Sequence, residues 1–248
     1  MRRFLVLTKA ILLVHLRERA QLFWNFAFPV FLLVLYAALF GGDDLAGFIA
    51  WMTPGIIATN ILAFGLISSA ALMTEMRTKG VLRRLQASPV PAAQLLGAYL
   101  VVSVLSSLLQ IALILLVAVL GYGLKVPAGH LALAAPWLAV AVLAAVVIGQ
   151  AVSGLTASAG AAVVIGQVLY FGQMFITDLV MPLQYMPAWA QRIGPWLPGY
   201  AIAHLVRAPL QAGTLDPDLG RSLLLVAAYT AAAGLLAVRF FKWEAGQA

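Results

Sequence analysis

The sequence predicts an all-α integral membrane protein with six transmembrane helices. Of its 248 residues, 64% are hydrophobic and only 9% are charged, whereas soluble domains have about 45–50% and about 25%. A water-soluble fold of this length has too little interior to bury so much apolar surface, and disorder requires the opposite composition. Long apolar stretches, separated by short polar segments, complete the pattern. The chain is therefore built for the lipid bilayer.

Six stretches are long enough to span the membrane. About 20 apolar residues in a helix cross a hydrocarbon core of about 30 Å, and a helix satisfies its own backbone in lipid. The predicted spans run from Leu22 to Phe40, Phe48 to Met73, Ala92 to Leu120, Leu131 to Ala157, Ala161 to Met181 and Ser222 to Phe241. No Arg, Lys, Asp or Glu lies near the middle of any of them. This argues against an ion-coupled carrier, which usually needs a buried ionisable group.

The distribution of cations predicts the orientation, because positively charged loops stay in the cytoplasm. Eleven of the fifteen cations lie on the side of the N-terminus: Arg2, Arg3, Lys9, Arg17, Arg19, Arg77, Lys79, Arg83, Arg84, Arg239 and Lys242. The other four cations lie on the opposite side with all five Asp residues. We therefore expect both termini in the cytoplasm and the chain in the inner or plasma membrane.

The N-terminal residues 2–21 resemble a secretory signal only superficially. Lys9, Arg17 and Arg19 interrupt the apolar stretch, and no small-residue cleavage site follows. We expect the segment to be retained as a cytoplasmic interfacial helix. The net charge of +7 does not indicate nucleic-acid binding, because the cations flank apolar spans instead of forming a solvated patch.

The densest charge cluster is the segment 74–91, TEMRTKGVLRRLQASPVP, between the second and third predicted spans. Its periodicity predicts a short amphipathic helix that ends at Pro89. The apolar arc would contain Thr78, Val81, Leu82 and Leu85, and the charged remainder Glu75, Arg77, Lys79, Arg83 and Arg84. Glu75 and Lys79 have the favourable i, i+4 order. The alternative is a solvated turn that lies on anionic headgroups.

Two segments carry a family resemblance. Glu75 is followed by Gly-x-Leu-x-x-Leu-x-x-Ser-Pro at residues 80–89, and this pattern resembles the cytoplasmic motif of ABC-2 exporter permeases, with residues 80–85 similar to the drug and antibiotic export branch. Residues 181–210, MPLQYMPAWAQRIGPWLPGYAIAHLVRAPL, resemble the Pro-rich external segment of the same family. Val81 stands where many members have Thr, which leaves the branch open.

The resemblance implies one ABC-2 transmembrane domain over residues 1–248, whose segment 74–90 docks on a separate ATP-hydrolysing subunit. The implied coupling residues are Glu75, Arg77, Lys79, Gly80, Leu82, Arg83, Arg84, Leu85, Ser88 and Pro89. The chain has no Gly-x-x-x-x-Gly-Lys-Ser/Thr phosphate loop. ATP and Mg would therefore belong to two copies of the partner, and no cofactor to this chain. A second permease copy, identical or homologous, would complete an expected set of twelve spans.

The prolines between Met181 and Gly199 exclude a single regular helix there, because each removes a backbone donor. The resemblance implies short half-helices within residues 182–220 that re-enter from outside; the alternative is an ordinary external loop. The implied external gate contains Met186, Pro187, Trp189, Pro195, Trp196 and Pro198.

Sparse polar residues among aromatic ones suggest a pathway for cargo. The candidate lining residues are Asn60, Phe64, Ser68, Gln110, Gln167, Phe171, Gln173, Met174 and Phe175. So apolar a lining favours a lipophilic or amphipathic compound, such as a drug, an antibiotic or a lipid-like molecule, although glycan exporters share this fold. The Gly-Gln pairs at 149–150, 166–167 and 172–173 are interpreted as close packing of the fourth and fifth spans.

An intramembrane hydrolase and a passive channel are the alternatives from other classes. A hydrolase needs a nucleophile with a base, or a metal, but the three histidines lie near span ends, Asp178 is a single carboxylate, and Ser158 has no evident histidine at its depth. A channel would need a ring of charge or a filter segment. We therefore predict no catalytic or metal-binding residue, and the permease subunit of an exporter, with multidrug resistance as an expected role.

Overall fold

The computed structural model describes residues 2–17, 22–82, 92–212 and 217–240. The described residues are 90% helical and contain no strand, which confirms the all-α prediction. Within these ranges, six helices are long and apolar enough to cross a membrane. We number them span 1 (Phe23–Phe40), span 2 (Gly42–Thr78), span 3 (Ala92–Tyr122), span 4 (Ala128–Leu155), span 5 (Ala159–Ile176) and span 6 (Pro217–Arg239).

A separate N-terminal helix, Arg2–Arg17, precedes the spans and packs against span 3. The ring of Phe4 lies beside Gly97 at the start of that span, while Leu5, Val6 and Leu13 are exposed. An exposed apolar face beside the end of a span suits the predicted interfacial helix, whose contact with lipid remains a prediction.

Span 2 forms the centre of the bundle. In its most apolar stretch of 18 residues, 61% is buried inside the structure, compared with at most 39% for any other span. Span 2 contacts spans 1, 3, 4 and 5. Asp44 caps its first turn by accepting a hydrogen bond from the Gly47 amide at 2.9 Å. Near its middle the helix widens into a π-helical turn, Phe64–Ser69, and span 1 begins with another, Phe23–Ala27. Such turns often mark functional sites.

Glycines allow spans 4 and 5 to approach the backbone of span 2. A methyl group at Gly149 would overlap the carbonyl group of Gly65, and one at Gly166 would overlap that of Leu66. A side chain at Gly172 would meet no described residue within contact distance. Close packing of spans 4 and 5 is thus confirmed at Gly149 and Gly166, with span 2 as the partner of both, and not at Gly172.

The Pro-rich segment consists of short helices, as the prolines predict. They are Leu183–Tyr185, Ala188–Ile193, Gly194–Trp196, Pro198–Arg207 and Ala208–Ala212. The longest, Pro198–Arg207, packs against spans 2, 4 and 6, and Ala201, Ile202 and Leu205 on it are fully buried. This helix is therefore part of the bundle and not an ordinary loop, while entry from outside the membrane remains a prediction.

Residues 74–78 do not begin a separate amphipathic helix. They continue span 2 as far as Thr78, where the chain turns at Gly80 with a positive φ of 67° that suits glycine. Because span 2 continues as a regular, packed helix to Thr78, the chain changes direction only at the turn around Gly80. The remainder of the predicted helix, residues 83–91, lies outside the described residues.

Candidate functional site

A cavity of about 660 Å³ lies between spans 1, 2 and 5. Its wall is mostly apolar and rich in aromatic side chains, which include Trp24, Phe28, Tyr36, Phe64, Tyr170 and Phe171. Both π-helical turns contribute to it, through Asn25 in span 1 and through Phe64 and Ser68 in span 2. Its volume is in the range of pockets that enclose drug-sized molecules, about 300–1,000 Å³.

The cavity runs along the bundle and not across it. Spans 1 and 2 are antiparallel, so Asn25 near the start of span 1 and Glu75 near the end of span 2 line the same end. Leu179 and Val180, which follow span 5, line the opposite end. We call these the Glu75 end and the Leu179 end. The charge distribution predicts that the Glu75 end faces the cytoplasm.

Six of the nine candidate pathway residues line this cavity: Asn60, Phe64, Ser68, Gln167, Phe171 and Met174. The other three lie elsewhere. Gln110 lies behind the wall and donates a hydrogen bond of 2.7 Å to Asn60 Oδ1, and Gln173 accepts one of 2.6 Å from the Gly199 amide. Phe175 is 68% exposed on the surface of span 5. Contact of any of these residues with cargo remains a prediction.

Sequence reasoning missed the contribution of span 1. Trp24, Asn25, Phe28 and Tyr36 all line the cavity, but none was a candidate. The aromatic run at residues 23–28, FWNFAF, was the available signal. It is not distinctive, since aromatic residues are also enriched where any span meets the membrane interface.

Arg77 joins the end of span 2 to the end of span 4. Its side chain is buried, Nη1 donates to the carbonyl oxygen of Ser153 at 3.1 Å, and Nη2 donates to that of Thr156. Thr74 Oγ1 adds a 3.0 Å hydrogen bond to Ser153 Oγ. The last carbonyls of a helix lack partners within it and carry negative partial charge, which a guanidinium satisfies. The alternative of a solvated turn therefore does not describe Arg77, whose role as a coupling residue remains a prediction.

The other coupling candidates divide into described and undescribed residues. Glu75 and Lys79 form the expected i, i+4 ion pair. Leu82 is 1% exposed and packs into the core of this chain, so its docking on a partner remains a prediction. The candidates Arg83, Arg84, Leu85, Ser88 and Pro89 lie outside the described residues.

A buried ion pair lies at the Leu179 end. Arg207 Nη1 lies 3.0 Å from Asp178 Oδ2, and both side chains are nearly buried. The guanidinium also donates to the carbonyl of Leu179 at 3.3 Å and lies 5.3 Å from the centre of the Trp51 ring. Burial lowers the pKa of Arg207, and the Asp178 carboxylate opposes this shift. The pair ties the helix Pro198–Arg207 to the end of span 5 and to span 2; sequence reasoning treated its members separately.

The predicted gate residues lie at the Leu179 end of the bundle. Trp189 and Trp196 are exposed, while Met186 is largely buried. The carbonyl of Trp196 accepts a 2.9 Å hydrogen bond from the Tyr229 hydroxyl, and the Arg221 guanidinium lies 4.6 Å from its ring centre. Span 6 thus holds this segment in place. Pro187, Pro195 and Pro198 begin or interrupt its short helices, and their action as a gate remains a prediction.

The groups considered for a hydrolase have structural partners. Ser158 Oγ caps span 5 by accepting a 3.2 Å hydrogen bond from the Ala161 amide. Asp178 pairs with Arg207, and the His204 ring stacks at 4.3 Å on Tyr200. Among the described residues, no group of three or more His, Cys, Asp or Glu could hold a metal ion. Each of these three side chains thus has a contact within the protein.

The family model for ABC-2 type transporters matches residues 2–210, from the N-terminal helix to the end of the Pro-rich segment. The chain belongs to the ABC-2 type transporter family. It is a multi-pass membrane protein and the membrane component of an ABC transporter, a class whose members work with an ABC ATPase subunit. The matched residues include the whole cavity between spans 1, 2 and 5. No curated protein shows significant similarity to the chain.

Proposed function

We propose that this chain is the permease subunit of an ATP-driven exporter in the drug and antibiotic branch, and that it moves a lipophilic or amphipathic compound. The observation that carries the proposal is the aromatic cavity of about 660 Å³ inside the membrane domain of an ABC-2 transporter. Such a compound partitions into lipid and fits an apolar wall with few polar groups. A glycan would need a longer and more polar surface.

The energy for transport comes from a separate subunit. The chain has no phosphate loop, so ATP and Mg are bound by the ATPase partner. The functional unit is a homodimer of this permease with two ATPase copies, with both termini in the cytoplasm. The segment 74–90 docks on the partner, with Gly80 and Leu85 among its contact residues.

Arg77 offers a route from the docking segment to the cavity. It lies three residues before Gly80, and its guanidinium holds the carbonyls of Ser153 and Thr156. Thr156 lies in the turn between spans 4 and 5, and span 5 forms one wall of the cavity. A movement of the docking segment would therefore reach span 5 through these hydrogen bonds and the short turn that follows Thr156.

The cavity is tested with two phenylalanines on span 1. Phe28 lines the cavity, whereas Phe31 does not and is 55% exposed. With the ATPase co-reconstituted in vesicles, we expect Phe28→Ala to raise the KM for a lipophilic dye several-fold, because truncation removes aromatic surface that the cavity wall offers to its cargo. Phe31→Ala is the matched control and should leave the KM unchanged. Equal effects of the two variants, or no ATP-dependent transport at all, would contradict the proposal.

A further inference from the structure

The Glu75 end of the cavity contains a hydrogen-bond donor without a partner. Asn25 is only 7% exposed and lines the cavity, and its Nδ2 atom has no hydrogen-bond partner among the described residues. Leaving a buried amide donor unpaired is unfavourable. Asn25 lies in the π-helical turn of span 1 and lines the cavity. An acceptor on a molecule bound at this end would satisfy its donor.

The same end contains a negative charge. Glu75 is the only charged residue among the described residues that line the cavity. Its partner Lys79 is 68% exposed and does not line the cavity. An exposed i, i+4 ion pair is weak because water competes for both charges. The carboxylate can therefore attract a cation that enters the cavity.

Farther from this end, two polar side chains of the wall, Asn60 and Thr59, are paired within the protein. Asn60 donates to the carbonyl of Ile56 at 3.3 Å and accepts from Gln110. Thr59 donates to the carbonyl of Gly55 at 2.6 Å. Aromatic rings from spans 1, 2 and 5 form much of the remaining surface. The cavity is thus amphipathic along its length, because the one charged residue of its described lining, Glu75, lies at one end and aromatic rings form much of the rest.

We propose that the cavity binds a cationic amphiphile whose amine or quaternary ammonium group lies at Glu75. A hydrogen-bond acceptor on the same molecule accepts from Asn25 Nδ2, and an apolar body lies among Phe28, Phe64 and Phe171. Aromatic faces add to the attraction for the cation. This inference rests on the proposed function, because it narrows the cargo of the same cavity to one chemical class.

The test compares two dansyl sulfonamide probes that differ only in their end group, trimethylammonium in one and tert-butyl in the other. The two groups have nearly the same shape, so the comparison isolates charge. Binding is measured by dansyl fluorescence on the full-length chain in lipid nanodiscs without ATPase, and empty nanodiscs correct for partitioning into lipid. We expect the cationic probe to bind about tenfold more tightly, which corresponds to about 1.4 kcal/mol.

Glu75→Gln should reduce this preference to about twofold or less, since it removes the charge and keeps the shape. Binding of the neutral probe should be unchanged, which also shows that the variant is folded. Asp43→Asn is the matched control: it removes an exposed carboxylate at the far end of span 2, and the preference should persist. Asn25→Leu should weaken both probes several-fold without changing the preference, because both carry sulfonyl acceptors.

Equal affinities for the two probes, a preference that survives Glu75→Gln, or no saturable binding of either probe would overturn the inference. Failure of the proposed function looks different. If the preference holds but added ATPase and ATP drive no transport, the cavity binds cations and the exporter proposal is wrong. If ATP drives transport of both probes equally, the exporter proposal stands and the cargo class is wrong.

Discussion

Arg77 shows how the surroundings of one residue decide its role. In the sequence it is one of several cations in a charged segment, but in the structure it is buried and holds two carbonyls at the end of span 4. A guanidinium can serve two acceptors because its donors are fixed in a planar fork, whereas an ammonium is a compact point charge. A lysine at position 77 would therefore bind these two carbonyls less well than Arg77 does.

Replacing Arg77 should lower both the free energy of unfolding and the coupling of ATP hydrolysis to transport. Arg77→Gln leaves the carbonyls of Ser153 and Thr156 without their charged donor, and we expect a loss of about 1–3 kcal/mol, with fewer molecules transported per ATP hydrolysed. Arg77→Lys should recover only part of both. Unfolding in nanodiscs and coupled transport assays measure these effects. The exposed Arg192→Gln is the control, expected within about 0.5 kcal/mol; an equal effect there would refute the assignment.

The buried pair of Arg207 and Asp178 should depend on both partners. Asp178→Asn leaves a buried guanidinium without its counter-charge, which typically costs about 3–5 kcal/mol. Arg207→Gln has the complementary defect, and the double variant should be more stable than the sum of the single losses predicts, by about 0.5–3 kcal/mol. A double-mutant cycle of unfolding free energies measures this term. Strict additivity would show that the two charges do not interact.

At the scale of elements, span 2 determines where the other helices lie. Apolar lipid provides no hydrophobic drive between helices, so close backbone contact at small residues takes its place. Gly149 of span 4 and Gly166 of span 5 supply that contact on either side of the π-helical turn. The same turn contributes Phe64 and Ser68 to the cavity, so the packing of spans 4 and 5 and the shape of the site depend on one stretch of helix.

Two glycine variants test this packing. Gly149→Ala places a methyl group against the Gly65 carbonyl and should destabilise the fold by about 1–3 kcal/mol through overpacking. Gly172→Ala meets no described residue and should be neutral or stabilising by up to about 1 kcal/mol, because alanine is the better helix former. Thermal unfolding in the same nanodiscs compares them. If both variants behaved alike, helix propensity and not packing would govern these sites.

At the scale of the whole molecule, one chain provides six of the twelve spans that the proposed transporter needs. Span 5 is the least buried of the six, because only 11% of its 18 residues lie buried inside the structure. Native mass spectrometry of the tagged protein should show two permease and two ATPase copies. Leu85→Asp should abolish recovery of the ATPase, since an added charge in an apolar docking contact is costly, and leave the permease dimer intact. Lys125→Asp, a charge change at the Leu179 end, should have no effect.

Hydropathy determined the class of this protein without its structure. The free energy of transfer into lipid is nearly a sum over residues along the chain, so composition and run length predicted six spans, and the prolines predicted the broken segment before span 6. Motif chemistry at residues 75–89 pointed to the family. Six of nine candidate pathway residues also line one cavity.

Only the tertiary structure decided which faces meet. Spans 2, 3 and 4 are apolar on all sides, so periodicity carries no information about which side of each helix is buried. The central position of span 2, the partners of Gly149 and Gly166, and the burial of Arg77 and Arg207 all depend on neighbours that lie far away in the chain. Contacts of this kind are set by shape and by pairing of backbone groups, which a sum over single residues does not contain.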